Sequence, residues 1–248
     1  MDERSRISKN AASFLWLSLF SEPRGPLMTE LTHCIISGFR YNESDDKIRS
    51  RSMNWYEKLN EYFPVEEMKS KQHMDILLDE KGDVYHKDEG PYHVMMYAEF
   101  KTFIFIDYLW VSPQSRGQGL GHQLIEKLKG NRKPIILEVE PVDYEDTDTE
   151  KRLHFYKREH FTHAKSIKYN RRSLATSRDT ILEVLYWSPD EESEKVIYNK
   201  MKEMYESIHT YKDEELYGKS YQPVEEVLSY DEKRATISLL DSINIQNK

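Results

Sequence analysis

Leu109-Trp110-Val111-Ser112-Pro113-Gln114-Ser115-Arg116-Gly117-Gln118-Gly119-Leu120-Gly121 joins an apolar run to a proline break and then to three glycines at alternate positions. The apolar run has strand composition, and Ser112-Pro113 ends it. From Leu120 the apolar residues recur at Leu124, Ile125 and Leu128, one face of a helix. A strand therefore runs through a glycine-rich loop into a helix. Glycines let successive backbone N–H groups turn toward one point, and the helix N-terminus adds its positive dipole there. That is the chemistry of a phosphate or pyrophosphate site, and the plain alternative is a tight turn with close helix packing. No Gly-Lys-Ser/Thr follows, which disfavours a nucleoside triphosphate loop, and the dinucleotide-fold glycine spacing is absent.

Working outward, Gly130 to Pro134 breaks the helix and Ile135 to Val139 reads as a buried strand. Strand, helix, strand implies a right-handed crossover with parallel pairing. Thr149 to His160 reads as a helix, and Lys165 to Asn170 and Thr180 to Trp187 read as further strands. Upstream, Tyr92 to Phe100 and Thr102 to Val111 pair as strands through a turn near Lys101, with Asp88-Glu89-Gly90-Pro91 as an earlier turn. Trp55, Leu59 and Tyr62, then Met68, Met74, Leu77 and Leu78, mark helical stripes on either side of Pro64. Ser188-Pro189-Asp190-Glu191 has the form of a helix start, and Ile197, Met201, Met204, Tyr205 and Ile208 supply an apolar face behind it. Residues 223–241 are a candidate for another helix.

Composition narrows the function. The 248 residues are 38% hydrophobic and 32% charged, and seventeen Tyr and nine Phe argue for a folded core. A net charge of −8 speaks against indiscriminate nucleic-acid binding and suits cationic partners, amines among them. The lone Cys34 allows no intrachain disulfide and no cysteine-based zinc site. No apolar run approaches the roughly eighteen residues of a membrane span. The short run Ala11 to Phe20 has acidic residues before it and Ser21-Glu22-Pro23 after it, unlike a signal peptide. These features predict a cytoplasmic protein with no nucleic-acid or membrane partner. Residues 1–52 read as an N-terminal extension, 53–188 as the folded domain and 189–248 as a helical tail, which is also a candidate surface for a homodimer.

Arg116-x-x-Gly119-x-Gly121, with Pro113 before it and in its strand–loop–helix setting, resembles the acetyl-CoA signature of the GNAT N-acetyltransferase superfamily. Phe155-Tyr156-Lys157-Arg158-Glu159-His160-Phe161 is similar to that family's helix-ending motif, usually written FYEKLGF. The resemblance spans about Tyr92 to Trp187. It implies an α/β fold with a mixed, mostly antiparallel sheet, a central parallel strand pair and flanking helices, here followed by the helical extension. It also implies acetyl-CoA as co-substrate, with no metal. Backbone groups near Leu109 and Val111 would hold the pantetheine, the amides of Arg116, Gly117, Gln118, Gly119, Leu120 and Gly121 would bind pyrophosphate, and Tyr156 would protonate the departing thiolate. Thr149 and Arg152 stand where the family often has Asn and Ala, and His160 stands for its glycine. Thr149 can still supply a hydrogen bond to the coenzyme.

The expected reaction is direct transfer of an acetyl group to an amine, through one tetrahedral intermediate and no acyl-enzyme. The amine must be neutral to attack, so a carboxylate is expected to take its proton, usually through water. Asp107 and Glu138 are the candidate bases, with Glu140 beside them. The alternatives are a catalytically silent acyl-CoA-binding regulatory or assembly module, and a nucleotide or flavin binder misread through its glycines. The histidines show no metal-ligand pair on a predicted helix. The identity of the amine is not written in these residues.

Overall fold

A computed structural model of the chain describes residues 53–142, 147–234 and 237–243. The readings for residues 1–52, Cys34 included, lie outside the described residues. Asn54 starts α1 (Trp55–Tyr62) with a capping box: its side chain accepts from the N–H groups of Tyr56 and Glu57, and the Glu57 carboxylate accepts from the Asn54 N–H at 2.9 Å. Ser70 caps α2 (Lys71–Glu80) in the same manner through the His73 N–H. Eight strands then form the sheet: β1 (Tyr85–Gly90), β2 (His93–Glu99), β3 (Ile104–Val111), β4 (Ile135–Val139), β5 (Thr162–His163), β6 (Ile167–Arg172), β7 (Asp179–Trp187) and β8 (Leu228–Tyr230). The order across the sheet is β1-β2-β3-β4-β7-β6-β8, with β5 paired to β7.

The glycine loop leads into α3 (Leu120–Lys129), which crosses from β3 to β4, and these two strands pair in parallel. The other pairings are antiparallel. This is the mixed α/β sheet with a central parallel pair that the resemblance implies. α4 (Thr147–Arg158) follows β4. One face of the sheet packs Phe105, Ile136 and Tyr169 against α1, α2 and the C-terminal residues Met201, Met204 and Tyr205. The opposite face packs Ile104, Ile106 and Leu137 against α3 and α4 through Leu124, Ile125, Leu128 and Leu153. Burying apolar side chains of this kind stabilises by about 1.5–3 kcal/mol each.

Three local readings are corrected. Asp88 to Gly90 is the end of β1, not a turn, and the chain reverses at Pro91-Tyr92. This segment is polar and at the sheet edge, so pairing with β2 makes it a strand where its composition does not. The helix expected from Ser188 begins later, as α5 (Glu194–Met204), capped by Ser193. Glu192 is drawn to Lys200 at 2.6 Å, and Glu194 accepts the Ser166 N–H at 2.6 Å, contacts that hold the preceding stretch extended. Within 223–241 only α7 (Val224–Val227) is helical before β8, because β8 supplies the hydrogen bonds that the edge of β6 otherwise lacks. A π-helical turn (Tyr205–His209), α6 (Asp213–Tyr217) and α8 (Leu239–Ser242) complete the C-terminal part. Among the described residues no helix is long and apolar enough to cross a membrane.

Two details of β3 shape the site. Tyr97 of β2 faces Ile106 while Met96 faces Tyr108, so Asp107 is an extra, bulged residue. A bulge bends its strand and re-aims its side chains. Pairing of β3 with β4 runs from Ile104↔Ile135 to Ile106↔Leu137 and ends there. Beyond the bulge the two parallel strands diverge, and a gap opens between them.

Candidate active site

The loop after β3 is built to present backbone donors. A 3-10 turn, Pro113–Ser115, is closed by Ser115 N–H to the Ser112 carbonyl at 2.8 Å. Gly117 and Gly119 follow with φ of 76° and 83°, the left-handed region that favours glycine. Gly119 is the N-cap of α3, whose first intrahelical bond is Gln123 N–H to the Gly119 carbonyl at 3.0 Å. The N–H groups of Leu120, Gly121 and His122 therefore have no acceptor within the helix, as at any helix start. A Cβ added at Gly117 or Gly119 would meet nothing within 4 Å, so open space lies against these donors. At Gly121 a Cβ would lie 3.2 Å from the Phe155 ring, so this glycine lets α4 approach α3.

The space beside the loop is a cleft of about 440 Å³. Leu109, Val111, Arg116, Gly117, Gly119, Leu120 and Gly121, all singled out from the sequence, line it together with Tyr156. Lys151 and Arg158 add positive charge to the wall. The N–H groups at the start of α3, its dipole, the cations and the open volume fit a pyrophosphate with its attached arm. The Arg116 and Gln118 N–H groups, expected to join them, already bond the Pro113 and Ser115 carbonyls at 3.4 and 3.3 Å. Two expected coenzyme residues sit differently. Gln118 turns its side-chain amide back to the Gln114 carbonyl at 2.8 Å. Thr149 is buried on α4 (3% exposed), behind the residues that form the cleft wall. The Arg116 side chain reaches away from the loop amides: Nε lies 3.3 Å from the Val111 carbonyl, Nη1 3.3 Å from Asp148, and the guanidinium 4.9 Å over the Tyr62 ring.

Tyr156 is fixed by the end of its helix. Phe161 N–H bonds the Tyr156 carbonyl at 3.0 Å and His160 N–H bonds Lys157 at 3.1 Å, the pattern of a Schellman cap. His160 takes the left-handed conformation itself (φ 61°), so the missing glycine does not prevent the cap. The Phe161 ring packs edge-on to Tyr156 at 5.4 Å. Burial, opposed by Arg152 and reinforced by Tyr62, raises the Tyr156 hydroxyl to about 12. It keeps its proton at neutral pH and is available as a donor.

A second, smaller cavity of about 70 Å³ lies in the gap between the diverging strands. Leu109, Arg152 and Tyr156 line both cavities, so the two meet at Tyr156. Asp107, Glu138, Glu140, Arg171 and Glu67 line the smaller one.

These carboxylates are not equivalent. Asp107 is held by Lys69 Nζ at 2.7 and 2.9 Å and by the Tyr85 hydroxyl at 2.6 Å, with both ion-pair partners under 5% exposed. Burial would raise its pKa, but Lys69 and His209 outweigh that and lower it. Glu138 accepts from Tyr169 at 2.7 Å and His209 at 2.8 Å, and Arg171 lies 3.6 Å away. Against burial, His209 and Arg171 bring it to about 2. His209 itself is lowered to about 4, first by burial and then by Lys69. At neutral pH the pair is a neutral imidazole donating to a carboxylate, because nearby Lys69 and Arg171 already supply the positive charge. Glu140 lies 3.5 Å from Arg152.

Sequence reasoning did not find Glu67, Lys69, Tyr62 or His209, which come from the α1–α2 loop, α1 and the C-terminal part. A trio of His122, Glu126 and Glu159 has ligand atoms within 4.8 Å of one another. Lys129 Nζ sits among them, 2.8 Å from Glu126 and 3.7 Å from Glu159, and supplies the compensating charge.

The fold and cleft define an α/β protein with a glycine-rich loop and a helix N-terminus beside a parallel strand pair. The family model described as "Acetyltransferase (GNAT) domain" matches residues 80–163. The Bacillus subtilis (strain 168) protein "Putative acetyltransferase YjbC" is 61% identical over 192 residues, covering 77% of this chain and 100% of that protein. The chain belongs to the GNAT acetyltransferase family. A solved structure, "Putative acetyltransferase from GNAT family from Bacteroides thetaiotaomicron", is 22% identical and covers 71% of this chain and 96% of that chain, with a TM-score of 0.49. The ribosomal-protein-S18-alanine N-acetyltransferase from Escherichia coli is 18% identical over 53% of this chain and 83% of that chain, with a TM-score of 0.36.

Proposed function

We propose that the chain transfers the acetyl group of acetyl-CoA to an amine by direct attack. The observation that carries this reading is the junction of two cavities at Tyr156, one lined by the glycine loop and the other by carboxylates. The loop amides and the start of α3 bind the pyrophosphate, and the diverging edge of β3 at Leu109 and Val111 receives the pantetheine arm. Acetyl-CoA supplies an activated acyl group whose leaving atom is a thiolate. Tyr156 gives that thiolate a proton, and the apolar wall of Leu109, Val111 and Phe155 keeps water from competing.

The experiment is calorimetric titration of acetyl-CoA, followed by measurement of free thiol released with a panel of primary amines. Micromolar binding with amine-dependent thiol release supports the reading. Binding without release from any amine favours a silent acyl-CoA-binding module instead. Absence of binding to the folded protein refutes the coenzyme site.

A further inference from the structure

We propose that Glu67, in the loop between α1 and α2, takes the proton from the acceptor ammonium, and that Glu140, just after β4, positions it. The inference rests on the transfer reaction proposed above and names the group that makes its acceptor nucleophilic.

The candidates apparent from sequence are already committed. Both oxygens of Asp107 are engaged, by Lys69 and Tyr85. Glu138 Oε1 accepts from Tyr169 and His209, and its Oε2 faces Arg171. Taking a proton at either site would break a buried ion network. Glu67 is different. Its Oε1 is buried and has no hydrogen-bond partner among the described residues. No fixed cation or hydroxyl holds this oxygen, so Glu67 can take up and release a proton without breaking an ion network. The cavity it lines is the one that meets the coenzyme cleft at Tyr156.

The backbone that carries Glu67 is fixed to the sheet just past the bulge. The Tyr108 hydroxyl donates to the Glu67 carbonyl at 2.8 Å and accepts the Lys69 N–H at 2.9 Å. Tyr56 donates to the Lys69 carbonyl at 3.2 Å, and Tyr217 accepts the Ser70 N–H at 2.9 Å. The bulge at Asp107 turns Tyr108 toward this loop, so the irregularity in β3 places a carboxylate supplied by another element. Glu140 lines the same cavity, and its charge acts on Glu67.

The electrostatics agree with the geometry. Burial, then the charge and hydrogen bond of Glu140, raise Glu67 to about 8, while Arg152 and Arg171 oppose the rise. Asp107 and Glu138 also face the cavity, each paired with its own cation, and Tyr156 stays protonated. A base poised near working pH is the efficient kind.

The step balances as follows. The acceptor R–NH3⁺ passes one proton to ionised Glu67 and becomes R–NH2. Its lone pair forms the C–N bond at the thioester carbonyl carbon, and the C–S bond breaks. Tyr156 protonates the thiolate. The proton still in excess on the new amide nitrogen restores Tyr156, and Glu67 releases its proton to solvent. Ammonium and thioester become amide, thiol and one proton.

The test is the pH profile of kcat/KM for acetyl-CoA with primary amines, in wild type and in E67Q, E67D, E140Q and R152Q, with acetyl-CoA affinity measured alongside. The expected result is about a 100-fold loss in E67Q at pH 8 with less than about threefold change in coenzyme affinity, and partial recovery in E67D. The acidic limb should move down in pH in E140Q, which removes a like charge, and up in R152Q, which removes an opposing one. A purely structural role moves neither limb in opposite senses. Unchanged activity in E67Q, or an acidic limb that ignores both neighbours, overturns the proposal while leaving the transfer reaction standing. Should no amine be turned over by wild type, the transfer reading fails by itself, and carboxyl-carbon NMR titration of Glu67 decides the inference. A midpoint near 8 that falls in E140Q sustains the proton acceptor, and an ordinary carboxylate midpoint overturns it.

Discussion

Replacing Gly119 by alanine separates the two jobs that this glycine performs. Its φ of 83° strains any L-residue, and the left-handed conformation costs about 1–2 kcal/mol. The stiffer unfolded chain returns about 0.4–1 kcal/mol of that. The net loss is about 1 kcal/mol, or roughly 2–4 °C in Tm for a chain of this size. No atom lies within 4 Å of the new Cβ, so the fold suffers no clash. The methyl group instead enters the space from which a phosphate must reach the amides at the start of α3. A hydrogen bond to a charged group contributes about 1.5–3 kcal/mol, so losing even one weakens acetyl-CoA binding at least about tenfold. Gly218 is the control: its φ is 66°, a Cβ there also meets nothing within 4 Å, and it ends α6 as the C-cap. Thermal unfolding and calorimetric titration of both variants should show similar losses of stability, with affinity reduced only at Gly119. Affinity unchanged in Gly119→Ala, or equally reduced in Gly218→Ala, would refute the cradle.

Tyr156→Phe removes the proton donor while keeping the ring that packs on Phe155 and Phe161. Turnover should fall about 100-fold with coenzyme affinity little changed, and full retention of kcat would remove Tyr156 from the chemistry. Asp107→Asn leaves the Lys69 ammonium buried without its partner, at a cost of about 3–5 kcal/mol in urea unfolding; a change under about 1 kcal/mol would contradict the buried pair. Stability should also fall as pH drops from 6.5 toward 5. His73 and His209, lowered to about 3 and about 4, first by burial, stay neutral in the folded chain, while their unfolded counterparts take up protons below 6.5. Glu67, raised in the folded state, binds a proton there and opposes this slope, so Glu67→Gln should steepen the acid decline. A urea midpoint that is flat from pH 7 to 5 in both proteins would show that the histidines are not buried as described.

The glycine-loop side of the cleft was legible because it is local. Arg116 to Gly121 is one turn whose conformation depends on glycine at Gly117 and Gly119, and the stripe of Leu124, Ile125 and Leu128 announces the helix behind it. The motif around Tyr156 is equally contiguous, even with His160 in the position of the glycine. Misread elements were those decided by neighbours. β1 is polar and β8 is three residues long, and both exist because a paired edge satisfies their backbone. The start of α5 moved to Glu194, where Ser193 caps the helix and Glu194 takes the Ser166 N–H from across the fold.

Residue types and spacing by themselves determined the α/β class, the parallel crossover through α3 and the glycine-rich turn that opens it. Tertiary structure decided which carboxylates are engaged and which is open. Asp107 and Glu138 acquire Lys69, Tyr85, His209 and Arg171 from across the chain, and Glu67 is carried to the cavity by Tyr108. A carboxylate in a sequence has no environment. Its pKa and reach come from burial and from charges tens of residues distant, which only the folded chain brings within a few ångströms.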